Sequence, residues 1–476
     1  MSDRIPELFD ILKYCYNKNY NQYVATIGME ALNIFGWNEE NHLHSINIKS
    51  IRSLESDKIE KICRIYEMLT ISMYYIPEYK NTSSKLLEFL IFSDLPVDKE
   101  MIRKNQVYFF NTLKYTKKID LDVPKIKLLD PKIENEKYYY PMNPSIIKVS
   151  DGYIVNVRMV NYKQERTIVW NYLEKNNKIH SKNYILHMDN KFNCIRSYIL
   201  EDISWVSQMK LNDDPKLKYT GYEDIILFPM NTIQNKNSSP SIHRDGHPEY
   251  IWFSCTTNMS DPINVGKATM GRMKYIKPHT PGQSGEYKIE NVYILCGPNK
   301  FARVEKNWIN ISMVPDESNP NYISSRFIYS WNPYVIVEAR ININDEGKTV
   351  VTETIKNDKM ELDLSSFRGS TLSVYICHEF ENKLWIGHIS IIHEATSQHN
   401  DKGRAYSHRF IMYDEKYNIT HISSPWIFEH VGVEYCRSMC YGNFQHELLL
   451  STGIEDSSAH IFSLDISQIL KSLYRI

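Results

Sequence analysis

The stretch Pro144-Ser145-Ile146-Ile147-Lys148-Val149-Ser150-Asp151-Gly152-Tyr153-Ile154-Val155-Asn156-Val157-Arg158-Met159-Val160 decides the fold class. Its two apolar runs flank Asp151-Gly152, a dipeptide that favours a tight turn between antiparallel strands. Units of the same kind follow along the chain, at residues 184–199, 225–253, 287–304, 327–343, 372–392, 410–422 and 448–464. So many short strands favour a propeller over a sandwich, and with about four strands per blade they predict about five blades.

The N-terminal part has a different pattern, because apolar residues repeat there at three- and four-residue spacing. This spacing predicts helices at residues 6–15, 23–35, 59–75, 84–92 and 99–113. The helix pairs resemble tetratricopeptide-type repeats, although their spacing is irregular. We therefore predict an α+β multidomain chain, with a repeat-like helical domain at 1–116 that is a structural cap or a surface for a protein partner.

The remaining segments complete the predicted domain organisation. Residues 117–143 are rich in Lys, Asp and Pro and lack periodicity, so we predict a linker there. Residues 144–476 are predicted to form the five-bladed β-propeller. The segment 465–473 predicts a short closing helix with Asp465 as its N-cap.

Composition excludes several classes of partner. The chain of 476 residues has a net charge of −1, whereas partners such as nucleic acids or anionic membranes usually require a basic excess. Met1 to Asp10 lack the pattern of a signal peptide, and no apolar run approaches the roughly 18 residues of a membrane span. The eight cysteines are spread out, mostly within apolar runs, which favours a reducing compartment. We expect a cytoplasmic protein.

The first candidate for chemistry is the acid pair Glu223-Asp224, which precedes the apolar run 225–228. Neighbouring side chains of a strand point to opposite faces, so one of the two carboxylates would face the cavity that the sheet lines. The alternative is a solvated turn, which is the common environment of acidic residues.

Polar residues also interrupt the apolar strand that ends the opening hairpin. They are Asn156, Arg158, Asn161 and Tyr162. The first strand of each propeller blade lines the central channel, so such residues would converge on one pocket. Exposure at a sheet edge is the alternative.

A third motif is Glu305-Lys306-Asn307-Trp308. The indole of Trp308 is a flat apolar platform that suits a sugar ring, and Lys306 and Asn307 suit hydroxyl or phosphate oxygens. Trp308 packing against its own blade is the alternative.

The C-terminal third adds more candidates. Arg409, after His408, would grip a phosphate in bidentate fashion, and Glu434 and Asp456 would add acids from the last blade. Each of these residues has a structural alternative. Their distribution over successive blades is what favours a shared site, because the axis of a propeller gathers distant parts of the sequence.

Motifs of other site types are missing from the sequence. His243 and His247 would suit a cation, but Gly and Pro flank them and we predict a mobile loop, so we predict no metal site. We find no nucleophile elbow, no phosphate-binding loop of the Gly-x-x-x-x-Gly-Lys type and no dinucleotide fingerprint.

The motifs in series resemble a group of glycosyltransferase-like proteins of giant viruses and microbes. These are similar to the five-bladed propellers of β-mannoside phosphorylases and β-1,2-mannosyltransferases. The motifs lie at residues 156–162, 221–224, 305–308, 329–333, 368–370, 406–409 and 453–456. In that group the acid pair is commonly followed by Arg, as Glu-Asp-x-Arg, whereas this chain has Ile226 there. Arg-Gly-Gly-Ser likewise becomes Arg368-Gly369-Ser370-Thr371.

The residues and the resemblance together predict a glycosyltransferase or a glycoside phosphorylase. Asp224 would be the general acid/base of a single displacement, with Glu223 and Asp456 as further catalytic acids. Arg158 and Lys306 would hold the phosphate or nucleotide sugar, which enters as substrate, and we predict no separate cofactor. The alternative is a catalytically degenerate propeller that binds glycans or proteins, because an aliphatic Ile226 cannot replace a guanidinium.

Overall fold

The computed structural model describes most of the chain. The described residues are 5–34, 37, 51, 53–135, 137–163, 171–204, 219–228, 248–257, 266–277, 285–299, 305–316, 318–345, 347, 349–360, 362–397 and 404–476. His243 and His247, which we predict to lie in a loop without a metal, are outside these residues.

Helices occupy the N-terminal part of the chain, where the apolar spacing predicts them. They are α1 (Ile5–Asn17), α2 (Asn21–Ile34), α3 (Ser56–Tyr74), α4 (Lys80–Phe92) and α5 (Lys99–Gln106), with 3-10 turns at Pro77–Tyr79 and Val107–Phe109. Helix α5 begins after Asp98, whose carboxylate accepts a hydrogen bond of 3.0 Å from the backbone N–H of Met101. No helix in the described part of the chain is both long and apolar enough to span a membrane.

The rest of the structure is mostly β and propeller-like in arrangement. Within the described ranges, the strands form five sheets of four or more strands and one two-stranded sheet. The first sheet contains β3 (Tyr140–Val149), β4 (Gly152–Val160), β7 (Ile179–Asp189), β8 (Cys194–Ile199) and β10 (Tyr219–Thr220). Strands β3 and β4 form the predicted opening hairpin, with Val149 paired to Gly152 across the turn. The two-stranded sheet pairs β5 (Tyr162–Lys163) with β6 (Asn171–Tyr172).

The second and third sheets follow in chain order. The second contains β9 (Glu201–Asp202), β11 (Tyr222–Phe228), β12 (Tyr250–Thr257), β13 (Lys267–Ile276), β14 (Glu286–Cys296) and β18 (Thr349–Val351). The third contains β15 (Ile309–Pro315), β16 (Tyr322–Trp331), β17 (Tyr334–Asn342) and β19 (Glu353–Asp358).

The fourth sheet is the largest. It contains β1 (Asn111–Thr112), β20 (Arg368–Gly369), β21 (Val374–Phe380), β22 (Lys383–Ser397), β23 (Arg404–Tyr413), β24 (Ile419–Ser423), β25 (Trp426–Ile427) and β29 (Leu473–Arg475). The fifth contains β26 (Glu434–Tyr441), β27 (Glu447–Ile454), β28 (Ser458–Asp465) and β2 (Lys117–Asp120). Helix α6 (Ile466–Lys471) follows β28, and Asp465 caps it as predicted, accepting a hydrogen bond from the N–H of Ser467.

Strand β2 lies within the segment that was predicted as a linker and pairs with β28 of the fifth sheet. Ile119 pairs with Ile461 of β28, so a strand that precedes the first sheet completes the last one. Residues 117–120 contain one apolar side chain, that of Ile119, so they lack the alternation of a half-buried strand. The antiparallel pairing with β2 gives β28 a neighbour on both sides, since β27 pairs with its other edge.

The first strands of successive sheets meet at the centre of the β region. Strand β3 lies against β11 on one side and against β26 and β27 on the other. Hydrogen bonds cross between these sheets, from the N–H of Leu227 to Ser145 Oγ (2.8 Å) and from the N–H of Ile146 to Ser438 Oγ (2.7 Å). These hydrogen bonds fix the positions of β3, β11 and β26 relative to one another.

The helices pack on the β region through a shared core. One apolar cluster joins residues of α1 to α5 to buried residues of the third and fourth sheets, such as Leu90, Phe92, Ile309, Phe367 and Ile411. The aromatic rings of Phe92 and Phe367 stack with centroids 5.9 Å apart. The helical segment and the sheets therefore share buried apolar surface.

Candidate active site

Bulges interrupt the inner strands at comparable places. The pairing register shifts between Met142 and Ser145 in β3, between Glu223 and Ile226 in β11, and between Cys436 and Ser438 in β26. A bulge leaves a residue out of the ladder and re-aims its side chain, and bulges are enriched next to active sites. The residues within these bulges include Asn143, Asp224 and Arg437.

Asp224 is the centre of the site. Its Oδ1 accepts hydrogen bonds from Arg158 Nη1 (2.9 Å) and Asn143 Nδ2 (2.8 Å). Asp224 and Asn143 both have left-handed backbones, with φ of 55° and 43°, a conformation that costs non-glycine residues free energy and clusters at functional sites. Burial acts to raise the pKa of Asp224, but the charges of Arg158 and Arg437 outweigh it and lower the pKa to about 2. Asp224 is therefore ionised.

Arg437 fixes the backbone at Asp224. Its Nε and Nη2 donate to the carbonyl oxygen of Asp224 at 3.0 and 2.7 Å, and its Nη1 donates to the hydroxyl of Tyr435 at 2.9 Å. The hydroxyl of Tyr435 in turn donates to Asn307 Oδ1 at 3.1 Å. Arg437 is almost fully buried, and this clamp links β26 to β11 and to the segment that precedes β15.

Glu223 lies between two cations. Its Oε1 is 3.7 Å from Arg158 Nη1 and 3.7 Å from Lys306 Nζ. Lys306 is half-exposed, whereas Arg158 is buried. Glu223, Asp224, Arg158 and Lys306 thus belong to one cluster of charged groups.

Asp456 joins this cluster from the turn between β27 and β28. Glu455 and Asp456 have consecutive left-handed backbones, with φ of 52° and 49°. Burial raises the pKa of Asp456 to about 7; the charge of Arg158 opposes this rise, and those of Asp224, Glu455 and Glu223 add to it. The pKa values of Asp456 and Asp224 are therefore far apart, although the charge of Asp224 affects Asp456.

Tyr162 belongs to the same cluster. Burial raises the pKa of Tyr162 well above its usual value, Arg158 opposes the rise, and the charge of Asp456 adds to it. Its hydroxyl also contacts Met142 Sδ at 3.6 Å. Tyr162 is a neutral polar wall of the site.

His393 forms another wall, on β22. Its ring stacks on Tyr406 (centroids 5.8 Å apart) and meets the edge of Tyr435 (4.9 Å), and its Nδ1 lies 2.8 Å from Ser370 Oγ. Burial lowers the pKa of His393 well below its usual value, and the charges of His408, Arg437, Arg368 and Lys306 lower it further. The ring is therefore neutral and close to several cations.

A side cavity of about 450 Å³ opens beside Lys306. Lys306, Asn307 and Arg368 line it together with aromatic residues, among them Tyr329 and Trp331. Two cations and several amides at one end of an aromatic-walled cavity suit an anionic group attached to a ring-shaped ligand.

Trp308 is less available than predicted. It is only 7% exposed, and its ring meets Phe327 and Tyr329 edge-on, with centroids 5.8 and 5.1 Å away. It borders the side cavity, but most of its surface packs against its own sheet, as the alternative interpretation held.

The predicted binding residues Asn156 and Asn161 lie outside the cluster. Asn156 Nδ2 donates to Asn183 Oδ1 (3.1 Å), and Asn183 Nδ2 donates to the carbonyl oxygen of Tyr222. Asn156 thus contacts the start of β11 indirectly, through Asn183. Asn161 Nδ2 donates to Glu174 Oε2 at 2.7 Å, away from the cluster around Asp224. The Asn161 side chain is satisfied within the protein, since its Oδ1 also accepts from the N–H of His180, whereas Asn156 Oδ1 is buried without a hydrogen-bond partner among the described residues.

Arg409 and His408 also lie elsewhere. Arg409 is buried against α4, where its Nη1 is 3.4 Å from Glu88 Oε1 and its guanidinium lies over Phe92. It has no route to a phosphate. His408 stacks on Trp426, its Nε2 accepts a hydrogen bond from the N–H of Cys436, and burial lowers its pKa to about 3. These are structural positions.

Glu434 is a structural carboxylate as well. It is fully buried and accepts hydrogen bonds from the backbone N–H groups of Phe428, Glu429 and His430 at 2.6 to 3.0 Å. It organises the loop whose His430 contacts Glu455 at 2.9 Å. Its neighbours Tyr435 and Arg437 reach the site instead.

Asn143, Arg437, Tyr435 and His393 are not among the predicted site residues, although Tyr435 directly follows the candidate Glu434. Alternation along β26 is the signal that could have directed attention from Glu434, which is held by a loop, to its neighbours. The bulge at Arg437 shifts the residues that follow it. The bulge itself has no mark in the sequence. Ile226 is buried in the core of the second sheet, and the guanidinium next to Asp224 comes from Arg158 and Arg437.

Comparison with known proteins yields similar structures only. No family model matches the chain, and no curated protein matches it. The chain is similar to a mannose phosphorylase from Leishmania mexicana in complex with phosphate (10% identity, TM-score 0.37, covering 75% of this chain and 92% of that one). It is also similar to a β-1,2-mannobiose phosphorylase from Listeria innocua in complex with β-1,2-mannobiose (11%, 0.38, 72% and 94%). A third similar structure is a GDP-Man-dependent mannosyltransferase from Leishmania mexicana (11%, 0.38, 77% and 94%). These are the kinds of protein that the sequence motifs resemble.

Proposed function

We propose that the protein transfers a glycosyl group to or from a phosphorylated partner, as a glycosyltransferase or a glycoside phosphorylase. The observation that carries the proposal is the pairing of Asp224, with a pKa lowered to about 2, and Asp456, with a pKa raised to about 7, in one cluster. Neighbouring acids whose environments separate their pKa values are typical of sites that hold one acid protonated and one ionised.

A single displacement uses these two states. In phosphorolysis, a phosphate oxygen attacks the anomeric carbon, the bond from that carbon to the glycosidic oxygen breaks, and the leaving oxygen takes the proton of Asp456. In transfer from a nucleotide sugar, the acceptor hydroxyl attacks, its proton passes to ionised Asp456, and the nucleoside diphosphate leaves with the bonding electrons. Asp224 stays ionised and stabilises the positive charge that develops on the sugar ring.

This assignment moves the proton-carrying role from Asp224 to Asp456. An acid held by Arg158 and Asn143 and ionised above a pH of about 2 is a poor proton donor near neutrality. Asp224 and Asp456 both remain catalytic in the proposal, with Glu223 orienting Lys306.

Lys306 and Arg368 are proposed to bind the phosphate or diphosphate. Both line the side cavity, and both lie close enough to His393 to lower its pKa. A fork-shaped guanidinium and an ammonium suit phosphate oxygens. Arg158 holds Asp224 in this proposal and no longer the phosphate.

The blade count belongs to the same proposal. Each of the five larger sheets is taken as one blade, with β2 completing the fifth. The central cluster then draws residues from the inner strands of several blades, as is typical of enzymes on this fold.

Turnover assays test the proposal. A panel of inorganic phosphate with β-1,2-mannobiose and other disaccharides, and of GDP-mannose and other nucleotide sugars with sugar acceptors, should give a product with at least one pair. Asp224→Asn and Asp456→Asn should each lower kcat/KM at least about 100-fold, whereas Asp151→Asn, at an exposed turn, should leave it unchanged. Full turnover by Asp456→Asn would refute the assigned role.

A second candidate is a catalytically degenerate propeller that binds a glycan or a protein. The observation that favours it is the buried, apolar Ile226 at the position where the resemblance predicts Arg. Calorimetry with the same panel separates the two, because a scaffold binds a sugar without turnover and its affinity is insensitive to Asp456→Asn.

A further inference from the structure

The N-terminal helices contact the wall of the site. Arg103 of α5 lies with its Nε 2.6 Å from Glu394 Oε1 on β22. Glu394 is almost fully buried, and the Arg103 side chain is mostly buried. A buried carboxylate that loses its cation is strongly disfavoured, so this contact holds β22 in place.

Glu394 directly follows His393, the histidine of the site wall. Across the ladder, His393 pairs with Arg368 of β20, and its Nδ1 contacts Ser370. A displacement of β22 at Glu394 would therefore move His393 and Arg368 together.

A second contact from the same helix supports this arrangement. Lys99 lies four residues before Arg103, hence on the same face of α5, and forms an ion pair with Asp363. The N–H of Asp363 also donates to the carbonyl oxygen of Phe92 at 2.8 Å. Asp363 precedes Ser365 and Phe367, which line the side cavity with Arg368.

We propose that Arg103 is a positioning residue, which acts through Glu394 to hold His393 and Arg368 in the geometry that binds the anionic part of the substrate. The proposal rests on the proposed function for the identity of that anion. Helix α5 would then support the geometry of the site, in addition to covering the sheets.

The experiment uses the full chain with three substitutions. Arg103→Gln removes the cation, Arg103→Lys restores it, and Lys104→Gln is the matched control, since Lys104 forms its ion pair with exposed Glu100 on the same helix. Hydrogen exchange reports on residues 366–371 and 388–396, with residues 458–465 of β28 as the internal reference. Calorimetry measures the Kd of inorganic phosphate.

We expect Arg103→Gln to speed exchange in both site segments but not in the reference strand, and to weaken phosphate binding about tenfold. Arg103→Lys should restore most of both properties, and Lys104→Gln should resemble the wild type. Unchanged exchange in Arg103→Gln would overturn the proposal, as would uniform loss of protection across all three segments.

The two readouts separate this inference from the proposed function. If the wild type binds phosphate and Arg103→Gln binds it equally well, the positioning role is wrong and the proposed function stands. If the wild type binds no phosphate, the proposed function loses its support, and local exchange still decides whether Arg103 positions the wall.

Discussion

At the scale of single residues, the site depends on how charge is placed around Asp224. The side-chain oxygen of Asp224 accepts from Arg158 and Asn143, and its carbonyl oxygen accepts from Arg437. Burial raises the pKa of Asp456 and the charge of Asp224 raises it further, whereas Arg158 and Arg437 keep Asp224 ionised. The two acids therefore hold different protonation states.

The raised pKa of Asp456 should be visible in stability. Its pKa is about 7 in the folded state and about 3.9 in an unfolded chain, so its favourable contribution is complete below pH 4 and is lost as pH rises through 7. Asp456→Asn should therefore gain stability relative to the wild type, on the order of 2 kcal/mol more at pH 8 than at pH 5. Urea unfolding at both pH values measures this difference, and an equal difference at both would disprove the shift.

Arg437→Lys tests the backbone clamp. Lysine cannot reproduce the bidentate contact with the carbonyl oxygen of Asp224, so unfolding free energy should fall by about 2–4 kcal/mol. Arg326→Lys is the control, since Arg326 and Glu338 form a half-exposed pair worth about 1 kcal/mol or less. Equal losses of unfolding free energy in the two variants would show that the clamp stabilises the fold no more than a half-exposed ion pair does.

At the scale of elements, hairpins were predictable and their irregularities were not. The opening hairpin, the α6 cap at Asp465 and the N-terminal helices follow from turn residues and apolar periodicity, which are local signals. The bulges at Asp224 and Arg437 depend on contacts between sheets, and β2 has a single apolar residue, Ile119, so none of these has a local signature.

Strand β2 offers a test of closure. Since the N–H of Leu121 donates to Ala459, alternation directs the N–H of Ile119 toward β28 and that of Asp120 away from it. Ile119→Pro should lower unfolding free energy by about 3 kcal/mol. Asp120→Pro, in the same edge strand, should cost much less. Equal effects of the two prolines would mean that β2 does not stabilise the last sheet.

At the scale of the whole molecule, helices and sheets share one apolar core and a buried ion pair. Arg409, expected at a phosphate, instead pairs with Glu88, and both are about 1% exposed. Nothing near Arg409 in the sequence reveals a partner 321 residues away. Asp224, Arg158, Lys306 and Asp456 were predicted to share a site because the axis of a propeller gathers distant parts of the chain. The sequence does not distinguish the guanidinium groups of Arg158 and Arg437, which reach Asp224, from that of Arg409, which reaches a helix.

Glu88→Gln tests whether the helices and the sheets unfold together. It leaves the buried charge of Arg409 without its counter-ion, so unfolding free energy should fall by about 3–5 kcal/mol. Glu100→Gln, in an exposed pair on α5, should cost under about 1 kcal/mol. Helical circular dichroism and tryptophan fluorescence should report the same transition in both variants. Separate transitions would show that the helices and sheets unfold independently.

The central claim is that Asp456 donates the proton that the leaving group requires. Its most direct test is the pH profile of kcat/KM for phosphorolysis, measured with a natural disaccharide and with a dinitrophenyl glycoside of the same sugar. The ionisation of phosphate affects both substrates alike, whereas only the disaccharide needs a proton on its leaving group. We predict that the disaccharide rate falls more steeply above about pH 7 than the rate of the dinitrophenyl glycoside. Identical profiles for the two substrates would contradict the claim.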